Sequence, residues 1–289
     1  MKVISLMLFT CLTALNSQPI ARPAFLNHDK NVYPGNENTE ACMIYYPDSR
    51  KSIYLKHFRE EFDIMSLFSE GDSDIDRVLA TLHWSNRQWQ HNGSNPASSQ
   101  DAFTILEEAR AGKNFRCTEY ALVFAAAASS AGLPARTLDL RTMNCETAES
   151  SAGHSAAEVY LPDLQKWVFV DPQNDVAAFI DNVPLNAFEL KRAIAERPAE
   201  INIIYKGEMV PADFQKQVIG WLKPYLYFLE VPFDNSYDAG EKYTCGSKTK
   251  LMLVPPGENA PEVFQKKTPL DFIHVTYSPE EFYGKPVYK

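Results

Sequence analysis

Three short runs carry side chains that can do acyl chemistry together. Phe115-Arg116-Cys117-Thr118-Glu119-Tyr120 offers a thiol, Gly153-His154-Ser155 an imidazole, and Trp167-Val168-Phe169-Val170-Asp171-Pro172 a carboxylate. The thiolate is the nucleophilic form of cysteine. An imidazole can take its proton and return it to a leaving group, and a carboxylate can fix the imidazole tautomer and stabilise the imidazolium. The three groups read as nucleophile, base and orienting group.

Positioning elements can be read around each of them. The run from Thr118 to Ser130 is rich in alanine and contains no helix breaker, and Gly132 and Pro134 supply a stop. This helix is apolar on nearly every side, so it should be buried centrally. Cys117 falls in its first turn, where unpaired N–H groups and the helix dipole favour a thiolate, and Arg116 adds positive charge. A lone cysteine at the head of an apolar helix is ordinarily a small buried hydrophobe, so the case rests on its partners. His154 opens a strand-like run to Tyr160, residues 161–166 make a turn, and Trp167 to Val170 reads as the returning strand of a hairpin. Alternation puts Trp167, Phe169 and Asp171 on one face, with Asp171 arriving beside the start of the first strand, where His154 lies. Pro172 ends the strand.

The order Cys-helix, then Gly-His-x-x-x-Glu-Val-Tyr, then Trp-Val-x-x-Asp-Pro resembles the transglutaminase-like superfamily of papain-like cysteine enzymes. So does the link Ala131-Gly132-Leu133-Pro134-Ala135-Arg136 between the helix and the next strand. The resemblance runs from about Trp84 to Glu189. It implies an α+β papain-like core, with the Cys helix packed on an antiparallel sheet that carries His and Asp. It also implies Cys117 as nucleophile, His154 as general base and acid, Asp171 as orienting carboxylate, and acyl transfer through a thioester. The acceptor in that family is water in some members and an amine in others.

In the family a Trp or another side chain upstream of the cysteine donates to the developing oxyanion. Trp84 is the candidate here, with Gln88 and Trp89 behind it. The chemistry needs such a donor, because charge forms on the attacked carbonyl oxygen. Packing in the core is the competing reading for both Trp residues. Trp89, Arg116 and Glu158 are the substrate-site candidates; Glu158 shares the His154 face and is a competing orienting carboxylate, with pairing to an arginine in the wall of the site the preferred reading. His83 and His91 lack a carboxylate pattern and are not read as metal ligands, and no cofactor is implied.

The chain has 289 residues, 45% of them hydrophobic, with 28 basic against 37 acidic side chains. That supports a substantial core and argues against a nucleic-acid or anionic-membrane surface. Met1-Lys2 followed by the apolar Val3 to Leu15 reads as a secretory signal over residues 1–17, too short for a comfortable membrane span. The expected location is therefore periplasmic, cell-surface or secreted. Leaving out Cys11 of the signal segment, and if Cys117 is catalytic, Cys42, Cys145 and Cys245 allow at most one internal disulfide, with Cys145 free to pair with either of the others.

After a lead-in over residues 18–70, with a strand at Ala41 to Tyr46 and another at Ser52 to Phe58, the catalytic core is expected over 71–205. It begins with a helix from Asp72 to Gln90 capped by Asp72 or Ser73, then a helix capped by Ser98 or Ser99 that ends at Ala111. Arg136 to Arg141 alternates as a strand. A helix over Leu185 to Ala195 and a strand over Ile201 to Tyr205 follow. Residues 206–289 read as an extension packed on the core with added β structure at Lys250 to Val254 and Asp271 to Tyr277. Its aromatic stretch Val218 to Val231, interrupted by Pro224, reads as core or as a substrate wall, with core the preferred reading. The function expected is a cysteine protease or amidase acting on peptide or glutamine amides of a peptide or protein substrate. A protein-glutamine transglutaminase and a non-catalytic peptide- or glycan-binding module are the alternatives.

Overall fold

The computed structural model describes residues 42–289. The signal segment 1–17, residues 18–41 of the lead-in and the first residue of the strand expected from Ala41 lie outside the described residues.

Four helices precede the sheet. α1 (Ile53–Glu61) is capped by Ser52, whose hydroxyl accepts from Leu55 N. This helix occupies the run Ser52 to Phe58, where the sequence suggests a strand. Leu55 and Phe58 are both buried; their three-residue spacing shares one helical face but would point to opposite faces of a strand. α2 (Asp74–Asn86) starts in a capping box between Ser73 and Asp76 and buries Val78 and Leu82. It ends four residues before Gln90, where Asn86 donates to the carbonyls of Pro172 and Gln173. α3 (Ala102–Arg110) is capped by Asp101 rather than by Ser98 or Ser99. α4 (Cys117–Ser130) is buried along most of its length. Gly132 at φ +90° closes it in the left-handed region that glycine reaches without strain, with Leu133 N donating to Ala128 O.

The strands are β1 (Ala135–Arg141), β2 (Gly153–Leu161), β3 (Lys166–Asp171) and β4 (Val176–Ile180). α5 (Ala187–Glu196), β5 (Asn202–Tyr205), α6 (Ala212–Leu222), β6 (Phe228–Pro232), β7 (Lys250–Leu253) and β8 (Ile273–Thr276) follow. They form one mixed sheet in the order β8-β7-β6-β1-β2-β3-β4-β5, antiparallel throughout except for the β7/β8 pair. The sheet runs unbroken across residue 205: β6 pairs directly with β1, so residues 206–289 continue the sheet as well as packing on it. α6 stops at Leu222, and a single tight turn over Lys223–Tyr225 contains Pro224, which lacks the N–H a continuing helix needs.

Each face of the sheet buries its own core. Ala135, Ala157, Val159, Val168 and Val170 pack with Phe124, Ala125 and Ala128 of α4 and with Val78 and Leu82 of α2. Leu138, Leu140, Ala156 and Phe169 pack with Leu190, Ala193 and Ile194 of α5. α4 is therefore held between the sheet and the other N-terminal helices, and its first turn has no freedom to drift. Cys42 and Cys245 form a disulfide that ties the start of the described chain to the extension, while Cys145 is free and buried.

Candidate active site

Arg116 is the N-cap residue of α4 and makes no side-chain capping bond, so the first-turn N–H groups at Cys117 are left open. The β2/β3 hairpin forms in the register that brings the other two groups in: Ala157 lies opposite Val170 and Glu158 opposite Phe169. His154, at the open end of β2, then meets Asp171, at the end of β3, with Nε2 and Oδ2 3.0 Å apart. The His154 side chain is also hydrogen-bonded to Cys117, and the Ser155 N–H donates to the Cys117 sulfur. Asn174 holds Asp171 from behind, giving its Nδ2 to Oδ2 at 2.8 Å and its backbone N–H to Oδ1 at 3.2 Å.

The electrostatics follow from these contacts. Burial pushes the Cys117 thiol up, but the hydrogen bond and charge of His154 outweigh it, and the thiol settles below its ordinary value. Burial pushes His154 down; Asp171 and Cys117 overcome this and hold it at about 10. Asp171 sits below the usual carboxylate range despite its burial, because of His154 and Asn174. All three shifts run toward a thiolate beside an imidazolium that a carboxylate supports.

Cys117 and His154 open onto a groove of about 1040 Å³. Its walls come from distant parts of the chain. Trp221 and Tyr225 of the α6 end flank the imidazole, their ring centroids 4.9 and 5.8 Å from it, with Trp221 edge-on. The aromatic stretch of the extension is thus a site wall here, while Phe228 next to it is core. Opposite, the hairpin Val263–Phe264 and Thr268–Pro269 contributes Phe264, Gln265 and Thr268. Gln265 N and Lys266 N donate to Cys145 O and Glu146 O, pinning the hairpin to the loop before β2. Gly153 leaves room for this: a Cβ there would lie 2.9 Å from Phe264 Cζ, so the ring would have to shift.

The other residues that the sequence marks as candidates divide. Arg116 lines the groove, paired with the buried Glu119. Trp84 does not: it packs in the helical core beside Phe62. Gln88 folds back on α2, its Nε2 donating to Trp84 O. Trp89 is buried against Phe115 and Tyr120. Both Trp residues serve packing, because the end of α2 and the turn after it direct their apolar rings inward. Glu158 does share the His154 face and does pair with an arginine, but the pair is sealed away from the groove: Arg136 and Glu158 are both fully enclosed. Missed by sequence reasoning as wall residues are His91, Asp139 and Arg141. His91 is legible only through its place in the cluster of Trp and His; what aims it is a bridge to Phe115 and the bond from Asn92 N to Phe115 O. Burial and the charge of His154 lower its pKa, which keeps the ring neutral near pH 7.

Among the described residues, the Cys42, Cys245 and His274 grouping is close enough for metal ligation, but its two sulfurs are joined in the disulfide and are not thiolate donors. No helix among the described residues is long and apolar enough to cross a membrane.

Residues 66–172 match the family model of the transglutaminase-like superfamily. This span contains Cys117, His154 and Asp171. No curated protein matches the chain. Among solved structures, a candidate cysteine protease from Cytophaga hutchinsonii is 16% identical over 55% of this chain and 50% of its own, with a TM-score of 0.34. A structure described as a TGase is 19% identical over 41% of this chain and 30% of its own, TM-score 0.27. A candidate protease from Parabacteroides distasonis is 11% identical over 56% of this chain and 28% of its own, TM-score 0.30. The chain thus spans half or less of the length of each of these structures.

Proposed function

Proceeding from this transglutaminase-like core, we propose that the protein is a thiol-dependent acyl-transfer enzyme that hydrolyses amide bonds in peptide or protein substrates. The observation that carries the reading is the hydrogen-bonded line from Cys117 through His154 to Asp171, at the floor of an open groove. The Cys117 thiolate adds to the amide carbonyl carbon. His154 gives its proton to the departing amine, the C–N bond breaks and a thioester remains. His154 then takes a proton from water, hydroxide adds to the thioester, and the carboxylic acid leaves as the thiol is restored. Asp171 keeps the imidazole aligned throughout.

The oxyanion of each addition needs donors. The open N–H at Cys117 is one, and the neutral ring of His91 takes the role that the sequence assigns to Trp84. Water is the acceptor in this reading, since nothing in the groove specifies an amine. Export is part of the same proposal. It is supported by the charged and apolar N-terminal run and by the Cys42–Cys245 disulfide, a bond that persists in oxidising compartments.

An electrophilic peptide-amide probe, used on wild type and on His154→Ala, tests nucleophile and base together. Labelling of Cys117 in wild type that is lost in the variant is the expected result. Incubation of wild type with a glutamine peptide and a labelled primary amine tests the acceptor, and label incorporation would replace hydrolysis by transamidation. No turnover of any amide together with no alkylation of Cys117 would leave a binding module.

A further inference from the structure

The groove is lined by two arginines and one acid, and the three differ in what they have left to offer. Asp139 is spent: its Oδ1 accepts from Ser155 Oγ at 2.7 Å and its Oδ2 from Lys250 Nζ at 2.7 Å. The arginines are each held by one edge. Arg116 gives Nε and Nη2 to Glu119, at 3.3 and 2.7 Å. Arg141 gives Nε and Nη2 to Glu230, at 2.9 and 2.7 Å, while the other oxygen of Glu230 accepts from Lys250. Glu119 and Glu230 are buried behind the guanidinium groups and do not reach the groove. In both arginines Nη1 has no acceptor among the described residues.

These donors are built in, not loose. Arg141 is only 8% exposed and its guanidinium lies over the Phe264 ring, 4.3 Å from the centroid. Arg116 is the residue before Cys117, close enough to feel the charge on its sulfur. Arg141 lies opposite Gly153 in the β1/β2 register, one position from the His154 pair. A guanidinium fixed on one edge by a buried carboxylate presents its free N–H groups at little entropic cost, and a carboxylate is the group it binds best. The chain as a whole carries a net charge of −9, so attraction of an anion here is a property of the groove and not of the bulk field.

We propose that the groove selects amide substrates that carry a carboxylate near the bond to be cut, held by the free Nη1 edges of Arg116 and Arg141. This rests on the reading of Cys117 as an accessible nucleophile. The carboxylate belongs either to an acidic side chain or to the end of a peptide, and the two are separated below.

Cys117 itself reports on the groove. Iodoacetate and iodoacetamide both form an S–C bond to it with loss of iodide, and they differ in the charge beside the reacting carbon. The ratio of their second-order rates, divided by the same ratio for a free cysteine, is unaffected by the fraction of protein folded. The expected result is a ratio that favours iodoacetate, that declines as salt rises, and that drops about tenfold in Arg141→Gln and also in Arg116→Gln. Arg116 is the safer position, since a third of its side chain is exposed and Arg141 supports the buried Glu230. A ratio unchanged in both variants, with Cys117 alkylating readily, overturns the carboxylate proposal alone. If neither reagent modifies Cys117 faster than in the urea-unfolded chain, the nucleophile reading fails and the proposal fails with it. Protection of Cys117 from iodoacetamide by a peptide with a free C-terminal carboxylate assigns the chain end. Protection by an amidated peptide containing internal glutamate assigns the side chain. Protection by neither overturns the proposal.

Discussion

The two central strands carry a charged cluster at each end, and the two clusters have opposite fates. At one end of β2, His154 bonds Asp171 and meets Cys117 beside an open groove. Four residues on and on the same face, Glu158 accepts from Arg136 Nε and Nη2, from Ala187 N and from the Tyr283 hydroxyl. Arg136 also donates to Tyr46 and to Phe282 O, and lies over the rings of Trp167 and Phe282. The Arg136–Glu158 pair has its lone pairs and protons taken up and sees no solvent. Satisfied and sealed, it specifies how the extension closes on the core. The His154 cluster is also largely buried, but it ends in a sulfur that solutes can reach. Charge in the interior is thus compatible with either arrangement, and access of solutes to the sulfur separates the two.

This contrast can be broken from either side. Cys117→Ala and His154→Ala each should lower amide hydrolysis by about 10⁴-fold or more, and Cys117→Ala, which leaves the His154–Asp171 pair intact, should keep thermal stability near wild type, measured by turnover and melting on the same samples. A large loss of stability with Cys117→Ala would place the sulfur with the sealed cluster. The reverse is expected of Arg136→Met: about 3–5 kcal/mol of destabilisation in urea melts, because the Glu158 charge is left buried and unpaired. Unchanged stability would mean the sealed pair holds nothing. His91→Ala should reduce acylation of Cys117 by an aryl ester about 10²–10³-fold but leave its alkylation by iodoacetamide nearly intact, since alkylation forms no oxyanion. Equal losses in both reactions would make the ring a packing residue. Replacing both Cys42 and Cys245 by serine should cost about 2–4 kcal/mol, with thiol mapping of the native protein finding, among the cysteines of the described residues, Cys117 and Cys145 free.

The smallest effect is one of pH. Alkylation of wild-type Cys117 should persist below the ordinary thiol value of 9.0, since His154 stabilises the thiolate and is itself held at about 10. In His154→Ala only the desolvation remains strong, so the rising limb should move to higher pH. A profile that does not move would show that the imidazole has no part in ionising the sulfur.

The chemistry-bearing hairpin is readable because its signals are local. The two-residue alternation from His154 to Asp171, the turn between the strands and Pro172 leave one sensible register, and the alanine-rich run after Cys117 permits one sensible helix. Ser52 to Phe58 misleads because a short apolar run without a clear period suits both strand and helix, and contact with the other helices decides it. Glu158 shows the limit more sharply. Alternation correctly sets its face and its pairing with an arginine, yet only the arrival of Phe282 and Tyr283, more than a hundred residues later in the chain, seals it off from the groove.

Order along the chain and local patterning determined which thiol, imidazole and carboxylate could meet, for these depend on helix and hairpin geometry within some sixty residues. What surrounds the sulfur was decided by tertiary structure alone. Trp221, Tyr225, Phe264 and the free edge of Arg141, which Glu230 of β6 holds, reach the groove because β6 to β8 join the sheet at β1. Long-range strand pairing of that kind is set by the burial of whole faces, which no short window of residues records.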